Sequence, residues 1–233
     1  MAVARDSQSE SHTGTTWNTS STSFSWTHTP VGTPRAIVVF TFVNANANDA
    51  TSVTYGGVSM TAVPWGRAVD TAGEPWDCKA WFLGSSIPTG AQTVQVNRNN
   101  NANVMYAACH AFTAWADTEP YGVVLVQGDG TFSEQNVDDG SPWTNSVRIA
   151  GAQSGNSSQG IGGANSTLSF NSCIDYGVRV CVTAYETVAG QGSRPVGFSY
   201  WTSDDRAAVH FAVREYVAPT TYAGTLMLMG LWI

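Results

Sequence analysis

VTYGGVSMTAV, residues 53–63, decides the fold class. Val53 and Tyr55 alternate with Thr54, the chain meets two glycines at Gly56-Gly57, and Val58, Met60 and Ala62 leave with the same period of two. Alternation of period two marks a strand, and a two-residue loop that needs positive φ at both positions is best filled by glycine, so the segment predicts an antiparallel β-hairpin. Working outward, AIVVFTFV (36–43) is β-branched and aromatic on both faces and reads as a central strand covered on both sides. Before it, Phe24, Trp26 and His28 alternate with Ser25 and Thr27 until Pro30 and the turn Gly32-Thr33-Pro34.

Further strands are expected at 78–84, 91–96, 104–115, 146–152, 166–170, 178–188, 195–201 and 207–217, about eleven in all. AAVHFAVREYV (207–217) also carries Val209, Val213 and Val217 four apart, a helical spacing, but its β-branched content and alternation favour a strand. Turn signals recur too often for a crossover helix between strands. The expectation is all-β: two packed antiparallel sheets in a jelly-roll-like sandwich over residues 21–218 as a single domain, with no internal repeat. A small insertion in the Gly- and Asn-rich stretch 116–165 stands as an alternative. Residues 1–20 read as a polar arm, ordered only by what it lies against. Residues 219–233 form an apolar tail, TLMLMGLWI at the end, which either completes the core as a last strand or packs against a neighbouring subunit.

Composition fits short strands and turns: 12% of the 233 residues are charged, Lys79 is the one lysine, and Gly, Thr, Ser, Asn and Val are abundant. A net charge of −7 weighs against nucleic acid as a partner, since phosphate binding needs a basic stripe. No apolar run approaches a membrane span and the start lacks a secretory h-region, so a cytosolic product without a membrane partner is expected. Cys78, Cys109, Cys173 and Cys181 have no metal-site spacing and read as buried thiols.

Chemistry-bearing patterns are sparse. G-x-S-x-G is absent, GNSSQG (155–160) having the wrong glycine spacing, and His12, His28, His110 and His210 stand alone, the last three inside strand patterns. The expectation is no catalytic, cofactor or metal site and no enzyme activity. Asp129, Asp138-Asp139 and Asp204-Asp205 read as turn aspartates, with calcium ligation and a glycosidase carboxylate pair as alternatives. The aromatics in or beside loops, Trp17, Trp65, Trp76, Trp115 and Trp143, suit an interface or a sugar platform as well as partial burial.

FSWTHTPVGTPRAIVVF, VTYGGVSMTAV, WFLGSSIPTGAQTVQV and SDDRAAVHFAVREY, spanning roughly 20–217, resemble a family of small β-sandwich proteins encoded by tailed bacteriophages. The resemblance implies a virion protein of jelly-roll kind: a capsid cement or decoration protein, as a homotrimer, with the major capsid protein as partner. The alternative is a carbohydrate- or receptor-binding module of a head or tail fibre, with a glycan as ligand. The interface candidates are Trp17, Trp65, Trp76, Trp143, Leu226, Leu228, Leu231, Trp232 and Ile233.

Overall fold

The computed structural model describes residues 3–12, 22–44, 50–69, 76–99, 104–113, 116–128, 133–138, 140, 145–154, 161–162, 166–174, 179–189, 192–199 and 206–215. Nine strands occupy the first half: β1 (Ala4–His12), β2 (Ser23–His28), β3 (Ala36–Asn44), β4 (Ala50–Tyr55), β5 (Val58–Ser59), β6 (Thr61–Val69), β7 (Trp76–Leu83), β8 (Gln92–Arg98) and β9 (Val104–Thr113). Nine more occupy the second: β10 (Ala116–Gln127), β11 (Gln135–Asp138), β12 (Asn145–Ser154), β13 (Ile161–Gly162), β14 (Thr167–Ile174), β15 (Arg179–Ala189), β16 (Ser193–Val196), β17 (Phe198–Ser199) and β18 (Arg206–Glu215). All pairings among them are antiparallel, and no helix is present among the described residues. The all-β, antiparallel class thus holds, consistent with a sandwich, and the described residues form eighteen strands where about eleven are expected.

The strands are stacked in four layers. A five-stranded sheet of order β1-β9-β3-β7-β6 lies face to face with a second of order β10-β18-β12-β15-β14. Strand β3 shows why: alternate side chains of a strand leave on opposite faces, and every residue from Ala36 to Val43 is buried. Val38, Phe40 and Phe42 enter the core shared with Ile149, Val209 and Phe211 of the second sheet. Ile37, Val39 and Val43 enter a separate core with Val53, Tyr55, Val94 and Val96 of the four-stranded sheet β2-β8-β4-β5. A third core, on the far side, is closed by Val137, Val196 and Phe198 over Ala150, Ala152, Val182, Ala184, Ala208 and Ala212. Burying a side chain the size of Phe40 contributes roughly 1.5–3 kcal/mol, so the doubly covered sheets hold the molecule together.

The two halves repeat one strand order. Setting β1, β3, β6, β7 and β9 against β10, β12, β14, β15 and β18 turns the first five-stranded order into the second. The outer sheet β2-β8-β4-β5 has its counterpart in the pairs β11-β16 and β13-β17, where Gly197, at φ 136°, divides what is one strand in the first half. The sequence reading sees no repeat, because identities differ while alternation persists: AIVVF fills the first half's central strand and RIAGA the second's. The stretch 116–165, read as a possible insertion, supplies β10 at a sheet edge and β12 at a sheet centre.

The hairpin at 53–63 forms as read, with Tyr55 opposite Val58 and φ of 54° and 79° at Gly56 and Gly57. AAVHFAVRE is strand β18, inside its sheet. Within the polar arm, Ala4–His12 lies against the chain's own sheet, pairing with β9 from Ala4 opposite Thr113 to His12 opposite Tyr106. Backbone pairing, the buried Val3 and the Asp6 carboxylate, which accepts the N–H of Val31 and Gly32 at 3.0 Å, supply what its polar side chains do not. The apolar tail 219–233 lies outside the described residues.

Candidate binding site

Of the expected interface residues, Trp65 alone has a described side chain, and it is 89% exposed. Trp76 opens β7 by its backbone, while Trp17, Trp143, Leu226, Leu228, Leu231, Trp232 and Ile233 lie outside the described residues. Trp65 sits where the β6–β7 ladder breaks. Ala62 is opposite Trp81 and Arg67 opposite Lys79, so Val63-Pro64-Trp65-Gly66 crowds against the single residue Ala80 and loops out of the sheet. The backbone of Trp65 is driven to φ 58°, a region a bulky residue enters at a cost of about 1–3 kcal/mol. Gly66 completes the bend, since a Cβ there would lie 2.6 Å from that of Val63. Arg67 Nε, bonded to Asp77 Oδ2 at 2.8 Å, fixes the chain where it rejoins β7.

Beside this bulge lies a cavity of about 280 Å³, lined by Thr61, Ala62, Val63, Pro64, Phe82, Gly84, Ser85, Glu119 and Pro120. It falls on the seam between the two halves, because β6 is an edge of the first inner sheet and Glu119 and Pro120 belong to β10, an edge of the second. Strand β10 breaks register between Ala116 and Pro120, which places Glu119 in an irregular stretch of its own. On the cavity's other rim Ser86 adopts φ 53°. Among the described residues Trp65 and Ser86 are the two non-glycine residues of positive φ, and each directly follows a residue of the cavity wall. A Pro-Trp-Gly sequence hints at the bulge, but nothing in the sequence brings Ser85 and Glu119 to it.

The histidines occupy other places. His28 is buried, with its Nδ1 2.6 Å from Ser9 Oγ and its Nε2 3.1 Å from Ser7 Oγ, while Trp26 Nε1 donates to Ser9 Oγ at 2.9 Å. Burial lowers the imidazole to about 4, against the opposing pull of Asp6, so it is neutral at neutral pH. Such a ring is a weak base for a serine. What the contacts do is tie the edge strand β1 to β2 across the first sandwich. His110 and His210 are fully buried, and His110 has no hydrogen-bond partner at either ring nitrogen. Burial, reinforced at His110 by the Arg5 and His28 charges and opposed at His210 by a hydrogen bond with the Val124 backbone, lowers them to about 3 and about 4.

Arg148, also fully buried, donates from Nε to the Val137 carbonyl at 3.1 Å and from Nη2 to that of Gly192 at 2.5 Å. It stands opposite Glu186 in the ladder, whose carboxyl burial pushes up and Arg148 pulls back down. The cation thereby fastens the far outer layer to the second inner sheet. Cys78, Cys109 and Cys181 are buried and free of disulfides. Asp138 Oδ1 accepts the Gly140 N–H at 2.9 Å, a turn role, whereas Asp129, Asp139, Asp204 and Asp205 lie outside the described residues. Among the described residues no three His, Cys, Asp or Glu side chains gather where they could hold a metal ion, and no helix is long and apolar enough to cross a membrane. Comparison with family models, with curated proteins and with solved structures finds no match to this chain.

Proposed function

We propose that the protein is a non-enzymatic structural protein of a tailed-bacteriophage virion, of cement or decoration type, which binds the outside of the capsid and stabilises contacts between shell subunits. Its partner in this reading is the major capsid protein, and it acts as a homotrimer. The observation that carries the reading is the strand order. The first half sets β1-β9-β3-β7 against β2-β8-β4-β5, an order that supports reading it as an eight-stranded jelly roll, an architecture widely used in viral capsid domains, and the second half repeats the inner sheet of that order. In this reading the two inner sheets, packed face to face, make a thick block in which the described buried histidine and thiol groups serve the interior. The acidic net charge of −7 suits an outer-surface protein kept apart from packaged DNA.

The test is a heat challenge of particles purified with the protein, stripped of it by mild denaturant, and reloaded with recombinant chain. Stripped particles are expected to release DNA at lower temperature and reloaded ones to regain the original threshold. Equal thresholds in all three would remove the proposal.

A further inference from the structure

We infer that the cavity beside Trp65 is a binding site for a neutral pyranose sugar, a reading that stands whether or not the protein sits on a shell. Three observations on separate parts of the chain converge there. The first is Trp65 itself, 89% exposed on a bulge whose bend is fixed by Gly66 and by the Arg67–Asp77 ion pair. A large aromatic ring held in solvent by a strained backbone gives nothing to the core, whereas it offers a flat apolar face to a ligand. The second is the pairing of strain with the cavity: Trp65 follows the wall residue Pro64 and Ser86 follows the wall residue Ser85, so both unusual backbones lie one residue outside the wall of one cavity. The third is the wall's chemistry, which joins the apolar Val63, Pro64 and Phe82 to the hydroxyls of Thr61 and Ser85 and the carboxylate of Glu119.

A pyranose has this same division. Its axial C–H face is apolar and stacks on an indole, and its ring of hydroxyls donates to carboxylate oxygens and exchanges hydrogen bonds with Ser and Thr. At about 280 Å³ the cavity lies at the low end of the ~300–1,000 Å³ typical of small-molecule sites, which fits one ring with the rest of a glycan outside. Charge then selects among sugars. Among the described wall residues the ionisable group is Glu119, on a chain of net charge −7, so uronic and sialic acids are repelled and neutral or N-acetylated hexoses are admitted. The seam position adds a further property: residues 61–64 and 82–85 come from the first half and Glu119 and Pro120 from the second, so the site exists only when both halves are docked.

The test uses the full chain labelled with 5-fluorotryptophan, because nine tryptophans make bulk fluorescence uninformative. The Trp65 signal is assigned by its loss in Trp65→Asn, a replacement that tolerates the left-handed backbone and is expected to melt no lower than the parent. Probes are the methyl glycosides of glucose, galactose, mannose and N-acetylglucosamine, with methyl glucuronide as the anionic counterpart. The expected result is a saturable shift of the Trp65 fluorine resonance with at least one neutral glycoside and weaker binding of the glucuronide than of the glucoside. Calorimetry should show affinity at least ~10-fold lower in Trp65→Asn, the loss typical of a truncated central aromatic anchor, and measurably lower in Glu119→Gln. A Trp65 resonance unmoved by every glycoside, or equal affinity in Trp65→Asn, would overturn the assignment. So would a resonance that moves only when empty capsid shells are added, since Trp65 would then be a protein contact.

Discussion

Lowering the pH from 7 to 4.5 should destabilise this protein through its buried histidines, chiefly His110 and His210, with His28 adding to the loss. Each of the first two imidazoles is sealed in a core, His110 with no partner for either nitrogen, and its folded value, about 3 and about 4 respectively, lies well below the ordinary value of 6.5. A folded state that resists protonation is at full stability above pH 6.5 and loses it as pH falls towards the folded values, because only the unfolded chain takes up the protons. Well below pH 6.5 each histidine contributes a slope of about 1.4 kcal/mol per pH unit, so the pair costs about 5 kcal/mol by pH 4.5. That is comparable with the whole stability of an ordinary domain, about 5–15 kcal/mol. Urea titrations followed by circular dichroism at pH 7, 6, 5 and 4.5 measure the loss directly. In the double variant His110→Leu, His210→Leu, of similar volume and without a titrating group, the slope between pH 6 and 4.5 should fall by about 2–3 kcal/mol per unit. An unchanged slope in that variant would refute the reasoning, since the protons would then be binding elsewhere.

Other outcomes follow from single contacts. Gly151→Ala should destabilise by about 1–3 kcal/mol in thermal melts, because its Cβ would lie 2.4 Å from the Phe40 ring in the core between the inner sheets. Arg148→Met, which removes the donor to the carbonyls of Val137 and Gly192 and one of the two cations acting on Glu186, should cost about 3 kcal/mol and loosen hydrogen exchange first in β11 and β16. Cys78, Cys109 and Cys181 should resist a thiol reagent in the native protein and label only on denaturation, as peptide mapping would show, because burial raises the Cys78 and Cys109 thiols well above the usual range.

How far the sequence speaks depends on where each signal resides. The Gly56-Gly57 turn is legible because both positions need positive φ, and AIVVFTFV because a strand covered on both sides must be apolar throughout. Strand β1 is hidden for the opposite reason: ARDSQSESH joins the sheet by backbone pairing and by serines that meet His28, neither of which leaves an alternation of apolar with polar residues. The repeat is hidden because each half needs only alternation, and small residues such as Ala150, Ala152 and Ala184 in one satisfy what Ile37 and Val39 do in the other. Trp65 stands out in the sequence as a loop aromatic, yet Ser85 and Glu119 reach the cavity beside it through the β6–β7 pairing and the docking of β10.

The shared core between the inner sheets also governs cooperativity. Freeing either half would bare Val38, Phe40 and Phe42 on one side and Ile149, Val209 and Phe211 on the other, so a half-melted species is penalised at both new surfaces. A chain whose strand order reads as two units is therefore built to melt as one, with a single calorimetric transition whose enthalpy belongs to the pair.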